Sequence, residues 1–327
     1  MRRFVRIAAL TVPFALAFAA AWIRLPYYAV GPGPANDVGP LIDVEDVPRY
    51  PSDGKLIMTT VRFQQVTALG SLVAWIDESQ FVVGEDEIFP PGADREQEAE
   101  RAVSQMDQSK IDASIVVLSE LFDYPSEHGR GALIEAIGPE CPADGELFVG
   151  DVVLAIDGRR VASTRDARRA IDGVPLDAPV AFRVRAGGET HTIELTREPC
   201  AGSDEPLVGI NMVNAFPFPI EISSGDVGGP SAGLMFSLGL YDALTPGDLT
   251  GGRTIAGTGT ITPAGEVGGI GGIVDKVIGA ERAGASVFLV PAGNMPELRG
   301  VDTGDLQRVS VATFDEAVEE LEALDAP

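Results

Sequence analysis

Residues 7–23 (IAALTVPFALAFAAAWI) carry no charge, and Arg2, Arg3 and Arg6 stand just before them. This run constrains the chain more than any other feature, because so long an apolar segment must leave water. At about 1.5 Å per residue it reaches roughly 25 Å, enough to span a bilayer with snorkelling ends. Two readings compete. A cleaved signal peptide has this charged start, with Ala17-Phe18-Ala19 or Ala19-Ala20-Ala21 as its cleavage site. An uncleaved single-pass anchor has this length, with Trp22, Tyr27 and Tyr28 as interfacial aromatics. The anchor is the favoured reading. Either way the basic N-terminus stays in the cytoplasm and the bulk of the chain is extracytoplasmic.

That bulk is acidic. The 327 residues carry a net charge of −25, which repels phosphate backbones and argues against nucleic acid as a partner. With 45% hydrophobic and 22% charged residues the chain is globular, with room for two domains or three small ones. The two cysteines, Cys141 and Cys200, fit no metal-ligand pattern. Export permits a disulfide, so a bridge and two free thiols both stand open.

Residues 26–52 are rich in proline and glycine and read as an extended leader. Lys55–Val66 has strand composition, Leu69–Asp77 reads as a short helix, Asp86–Ala93 as a loop and Asp94–Phe122 as a helix. No chemistry is visible in this first region. From about Ser126 the pattern changes. Ala132–Ile137 is a strand, and the segment FVGDVVLAIDGRRV (148–161) holds a buried strand, Val152–Ile156, ending at the turn signal Asp157-Gly158. A helix follows over Ser163–Ile171, capped by Ser163 or Thr164, then two strands, Val180–Arg185 and Thr190–Leu195. This order and the GDVVLAIDG segment resemble a PDZ domain over about seventy residues. The resemblance implies a groove that accepts an extended peptide by strand addition, with Gly131, Ala132 and Leu133 as candidate peptide-binding residues.

From about Pro199 the chain turns glycine-rich, and helices alternate with strands, as in an α/β domain. Thr313–Leu324 is an acidic amphipathic helix. The two histidines, His128 and His191, both lie before this region, and no G-x-x-x-x-G-K-[ST] phosphate loop occurs. No cofactor and no metal are expected. In GDVGGPSAGLMFSLGLYDAL (225–244), Pro230 and Ser231 lead into an apolar helix. Free N–H groups and the positive end of a helix dipole suit a developing oxyanion, and Gly228 and Gly229 let backbone approach a substrate. A serine there is equally an ordinary helix cap.

GGIVDKVIGAERAG (271–284) supplies a second half. Of the 24 basic residues only Lys55, Lys110 and Lys276 are lysine. On a helical wheel of Ile273–Ala283, Lys276 falls among Ala283, Ala280, Ile273 and Val277, with Asp275 and Arg282 on the opposite side. Desolvation lowers a lysine's pKa towards the range a general base needs, and arginine cannot lose its proton. The bland alternative is a lysine snorkelling from a helix edge.

G-P-S-A-G, followed 45 residues after its serine by the lysine of G-G-[IL]-x-x-K-x-x-x-A-x-R-A-G, is similar to the proteolytic domain of Lon-type serine–lysine peptidases. The whole layout resembles bacterial membrane-anchored PDZ–Lon-like proteins, which lack the ATPase part. The resemblance makes Ser231 the nucleophile, Lys276 the general base and Thr258 the hydroxyl that orients it. Gly228, Gly229, Pro230 and Asp226 form the oxyanion loop. Lon enzymes usually carry an aspartate three residues before the serine; Gly228 stands there instead.

The chain is thus expected to be an α/β (α+β) multidomain protein: residues 1–25 an anchor or signal peptide, 26–125 an extracytoplasmic region, 126–198 PDZ-like and 199–327 Lon-type. Its expected function is ATP-independent serine endopeptidase, cutting unstructured peptide or protein segments outside the cytoplasmic membrane. The alternatives are a peptide-binding scaffold with a restrained protease domain, or an assembly module, since Lon-type domains tend to form rings.

Overall fold

The computed structural model of the protein describes residues 21–76, 80–89, 95–201, 204–225 and 227–324. Residues 7–20, the greater part of the charge-free run, lie outside them, as does Asp226. Among the described residues no helix is long and apolar enough to cross a membrane.

One sheet organises most of the chain. It contains β1 (Arg24–Asp37), β3 (Lys55–Thr67), β4 (Phe81–Gly84), β11 (Thr254–Gly257), β12 (Val287–Pro291) and β13 (Gln307–Val311). Their order is β13-β12-β11-β3-β1-β4. The first four are parallel and the last two pairings antiparallel. The strand VFLVP of β12 is buried throughout, as a central strand covered on both faces must be.

Alternation along the strands sorts two cores. Leu56, Met58, Ile255, Val287 and Leu289 face one layer of helices: α3 (Arg95–Leu121), α5 (Gly233–Leu244) and α7 (Phe314–Leu324). Ile57, Ala256, Phe288 and Val290 face α6 (Ile273–Arg282). Two small helices, α1 (Ala68–Ile76) and α2 (Glu85–Ile88), flank β4.

The expected leader over residues 26–52 is therefore corrected: residues 24–37 form the long strand β1. Its prolines are tolerated because the pairing is irregular, with register shifts between Arg24 and Tyr28 and between Pro32 and Ala35. The expected loop at 86–93 begins inside α2. Residues 26–125 are not a separate region either, because β3 pairs directly with β11 and α3 packs on α5.

The second sheet lies between these two halves in sequence. It runs β9 (Ile210–Asn214), β5 (Ala132–Ile137), β6 (Val152–Ile156), β7 (Pro179–Ala186) and β8 (Glu189–Thr196), in that spatial order. A strand β10 (Ile220–Ile222) pairs with β2 (Ile42–Val44) outside it. Helix α4 (Thr164–Asp172) is capped by Ser163, whose side chain accepts from the Asp166 N–H. Its buried Ala167 and Ala170 pack with Ile134, Val153, Phe182 and Val184.

The sheet gains β9 from beyond the expected boundary at residue 198. Cys141 and Cys200 are bonded to each other, across 59 residues of sequence. Asn214 clamps the unit's ends: its side chain accepts from the Thr164 N–H (2.9 Å) and donates to the Pro125 carbonyl (2.9 Å).

Candidate active site

Three chain segments meet on the seam between the parallel strands and β1–β3. Ser231 ends the glycine-rich loop ahead of α5. Thr258 follows β11, and Lys276 lies in the first turn of α6. Lys276 Nζ is 2.7 Å from Ser231 Oγ and 3.0 Å from Thr258 Oγ1. The Thr258 hydroxyl donates to the Ser231 carbonyl at 2.9 Å, and the Gly259 N–H donates to the same oxygen at 2.9 Å. Ser231 backbone and Lys276 side chain are thus held through one threonine.

Lys276 is only 4% exposed and Thr258 1%. Burial lowers the lysine's pKa from 10.5 to about 8. Among the described residues no carboxylate pairs with it, so burial alone acts on the amine and lets it shed a proton near neutral pH. A neutral lysine 2.7 Å away can accept the Ser231 proton.

The glycine at 272 makes this possible. It precedes α6 with φ 71°, and an added Cβ would lie 2.7 Å from Val61 Cγ2. The N-terminus of α6 therefore presses against β3 and brings Lys276 to the seam.

The serine loop is held by α3. The Gly229 N–H donates to the Ala102 carbonyl at 2.7 Å, and Ser109 Oγ donates to the Pro230 carbonyl at 3.0 Å. A Cβ at Gly228 would meet Ala102 Cβ at 3.0 Å. The expectation that the first region carries no chemistry is thus corrected: its longest helix supports the loop and its strands line the site. Helix α5 begins at Gly233, so Pro230 and Ser231 precede it rather than occupying its first turn.

A cavity of about 870 Å³ opens over Ser231 and Lys276, walled by Val30, Met58, Phe63, Phe81 and Val227. Asp275 lines it too. The helical wheel sets Asp275 on the open side of α6, yet it is 4% exposed, because α6 is covered by β1 and β3 as well as by the sheet core. Burial raises its carboxyl pKa. The two histidines lie elsewhere: His191 is exposed on β8, and His128 Nε2 sits 3.2 Å from Ser126 Oγ in an exposed loop.

The peptide-binding candidates Gly131, Ala132 and Leu133 need a correction. Both edges of β5 are taken, by β6 and by β9, so neither can accept an added strand. The sheet ends in β9 on this side and β8 on the other, and the edge that faces α4 is that of β9. Between it and α4 lies a second cavity, about 780 Å³, lined by Ile210, Met212, Thr164, Arg168 and Ile171. The sequence signal for this edge is the mostly apolar run LVGINMV (207–213) beyond the last recognised strand.

Residues 218–324 match the Lon protease (S16) C-terminal proteolytic domain, and residues 133–185 match a PDZ domain. The Lon protease of Roseiflexus castenholzii is 38% identical over 94 residues, covering 28% of this chain and 12% of that protein. Lon protease 2 of Herpetosiphon aurantiacus is 37% identical over 98 residues, covering 29% and 12%. The chain therefore spans about an eighth of the length of these relatives. Among solved structures, the PDZ domain of the SdrC-like protein (Lmo2051) from Listeria monocytogenes aligns at 23% identity over 26% of this chain and 88% of that one. The TM-score of that alignment is 0.23.

Proposed function

We propose that this chain, which carries a Lon-type proteolytic domain and a PDZ domain, is a membrane-tethered serine endopeptidase that works without ATP. The observation that carries the reading is the buried lysine, depressed to about 8, with its amine 2.7 Å from Ser231 Oγ. Neutral Lys276 takes the Ser231 proton as the oxygen attacks a peptide carbonyl, and Thr258 keeps the amine aimed. Lys276 then protonates the leaving amine, and water releases the acyl group by the same proton path. The cavity of about 870 Å³ over Ser231 has room for an extended segment, so unfolded or flexible polypeptides are its substrates. The free edge of β9 would hold another stretch of the same substrate by strand addition. Residues 7–23 tether the chain, with its bulk outside the cytoplasm.

The test is cleavage of an unfolded protein by the purified chain without nucleotide. Ser231→Ala and Lys276→Arg should each abolish it. If both cut at the parent rate, the dyad reading is wrong.

One observation favours a restrained resting state. The Gly229 N–H, a candidate oxyanion donor, is already engaged by the Ala102 carbonyl. In that reading the enzyme is slow until substrate or a second copy draws the loop away. Labelling of Ser231 by a serine-reactive phosphonate separates the two: fast labelling in the resting protein rules restraint out.

A further inference from the structure

The lobe formed by β1, β3 and β4 has two unlike faces. Val30, Phe63 and Phe81 stand opposite one another in register and line the Ser231 cavity. On the other face Ala29 and Val66 bury Ala74 of α1. Ala74 thus marks the inner side of that helix. Leu69, Leu72, Val73 and Ile76 follow the i, i+3, i+4, i+7 pattern and fall within about 100° of arc on the outer side. They are 45%, 59%, 64% and 75% exposed. The usual amphipathic arrangement is inverted, with the apolar stripe turned outward. Residues 63–76 contain no charge at all. A contiguous exposed apolar surface of this kind marks a docking site in a soluble protein.

Its position identifies the occupant. The Ala68 N–H at the start of α1 donates to the Ile23 carbonyl at 3.3 Å, and Arg24 pairs with Thr67. Ile23 is the last residue of the charge-free run, so the outward stripe begins beside the point where that run ends. Exposed Ile23 and Tyr27 lie at the same end of the lobe. The stripe carries no basic residue and the chain's net charge is −25, so neutral headgroups suit it and anionic ones do not.

We infer that the outer stripe of α1, together with Ile23 and Tyr27, lies in the headgroup–acyl boundary of the bilayer that residues 7–23 enter. The inference rests on the tether proposed above. It adds that the catalytic lobe is seated on lipid, with its opposite face as the cavity wall, so that Ser231 works beside the membrane rather than at the end of a free leash.

The test uses the full chain in phosphatidylcholine vesicles. Cys141 and Cys200 are bonded, so a single introduced cysteine takes one label. Leu72→Cys and Val73→Cys carry nitrobenzoxadiazole, with Phe148→Cys in the PDZ-like unit, 63% exposed, as reference. Flotation scores the tether, and quenching by nitroxide lipids scores the stripe. The expected result is flotation, with quenching at 72 and 73 at least about threefold above that at 148. Flotation with equal quenching at all three positions sinks the lipid-seated lobe and leaves the tether standing. A blue-shifted but unquenched label at 72 also overturns it, in favour of a second copy of the chain. Failure to float defeats tether and stripe together. None of these readings depends on cleavage.

Discussion

The PDZ-like sheet draws its strands from residues 132–214, while the six-stranded sheet joins residues 24–84 to residues 254–311. Within the first, β7 and β8 form a hairpin through Gly187 and Gly188, so that pairing is set by neighbouring residues. In the second, Lys55 pairs with Thr254, and no local signal announces it. The serine–lysine pair sits on that long-range seam, whereas the proposed peptide groove sits on the locally built unit. Function in one region thus depends on closure of a long loop, and in the other on an edge left free.

The largest expected effect breaks the seam's chemistry without breaking the seam. Lys276→Met should lower cleavage by about 1,000-fold or more, because among the described residues Lys276 is the base bonded to the Ser231 hydroxyl. It should also raise stability, by about 1–3 kcal/mol, since a buried ammonium is removed. The sign follows from the lowered pKa: the folded state holds the proton less firmly than the unfolded one. The penalty is complete below about pH 8 and fades as pH climbs towards the ordinary lysine value of 10.5. A lower melting temperature for the methionine variant would make Lys276 a structural residue instead.

The next effect falls on the other unit. Reducing Cys141–Cys200 releases a loop of 59 residues, which loop entropy values at about 4 kcal/mol. Calorimetry should show the PDZ-like unit melting earlier, with phosphonate labelling of Ser231 unchanged. Parallel loss of labelling would mean that the seam leans on the inserted unit, and the contrast would collapse.

Smaller effects sharpen the picture. Thr258→Val should cut kcat by roughly 10–100-fold with KM little changed, because the lysine loses its aim rather than its charge. The kcat/KM profile of the parent should rise with pH and level off above about 8; a flat profile from pH 6 to 9 speaks against a neutral lysine base. Smallest of all, Ser109→Ala removes the hydroxyl that donates to the Pro230 carbonyl and should cost only a few-fold in rate. An unchanged rate would leave the Ala102–Gly229 bond as the sole anchor of the loop on α3.

Much of the secondary structure is legible in the chain. Val152–Ile156 stands out by its apolar run and Asp-Gly turn, the α4 cap by its serine, and the helix at 273–282 by its wheel. What escapes is decided at a distance. A proline- and glycine-rich stretch reads as a leader, yet residues 24–37 become a strand because β3 and β4 flank it. The strand β9 is short, with two asparagines among its five residues, so its apolar run is a weak signal until its pairing with β5 is seen. Asn214 looks like any polar residue until its side chain is seen to join two distant segments, at Thr164 and at Pro125.

The sequence by itself determined which groups are available: a lysine where this chain writes arginine and a serine behind glycines ahead of an apolar helix, with Thr258 added by the resemblance to Lon-type peptidases. It also determined the alternation that divides each strand between two cores. Only the tertiary structure decided that the three polar groups touch, that Asp275 is dry, that α3 from the chain's first half carries the serine loop, and that β9 rather than β5 keeps a free edge. Local propensity and periodicity act within a few residues, whereas burial and strand edges are sums over neighbours far away in the chain.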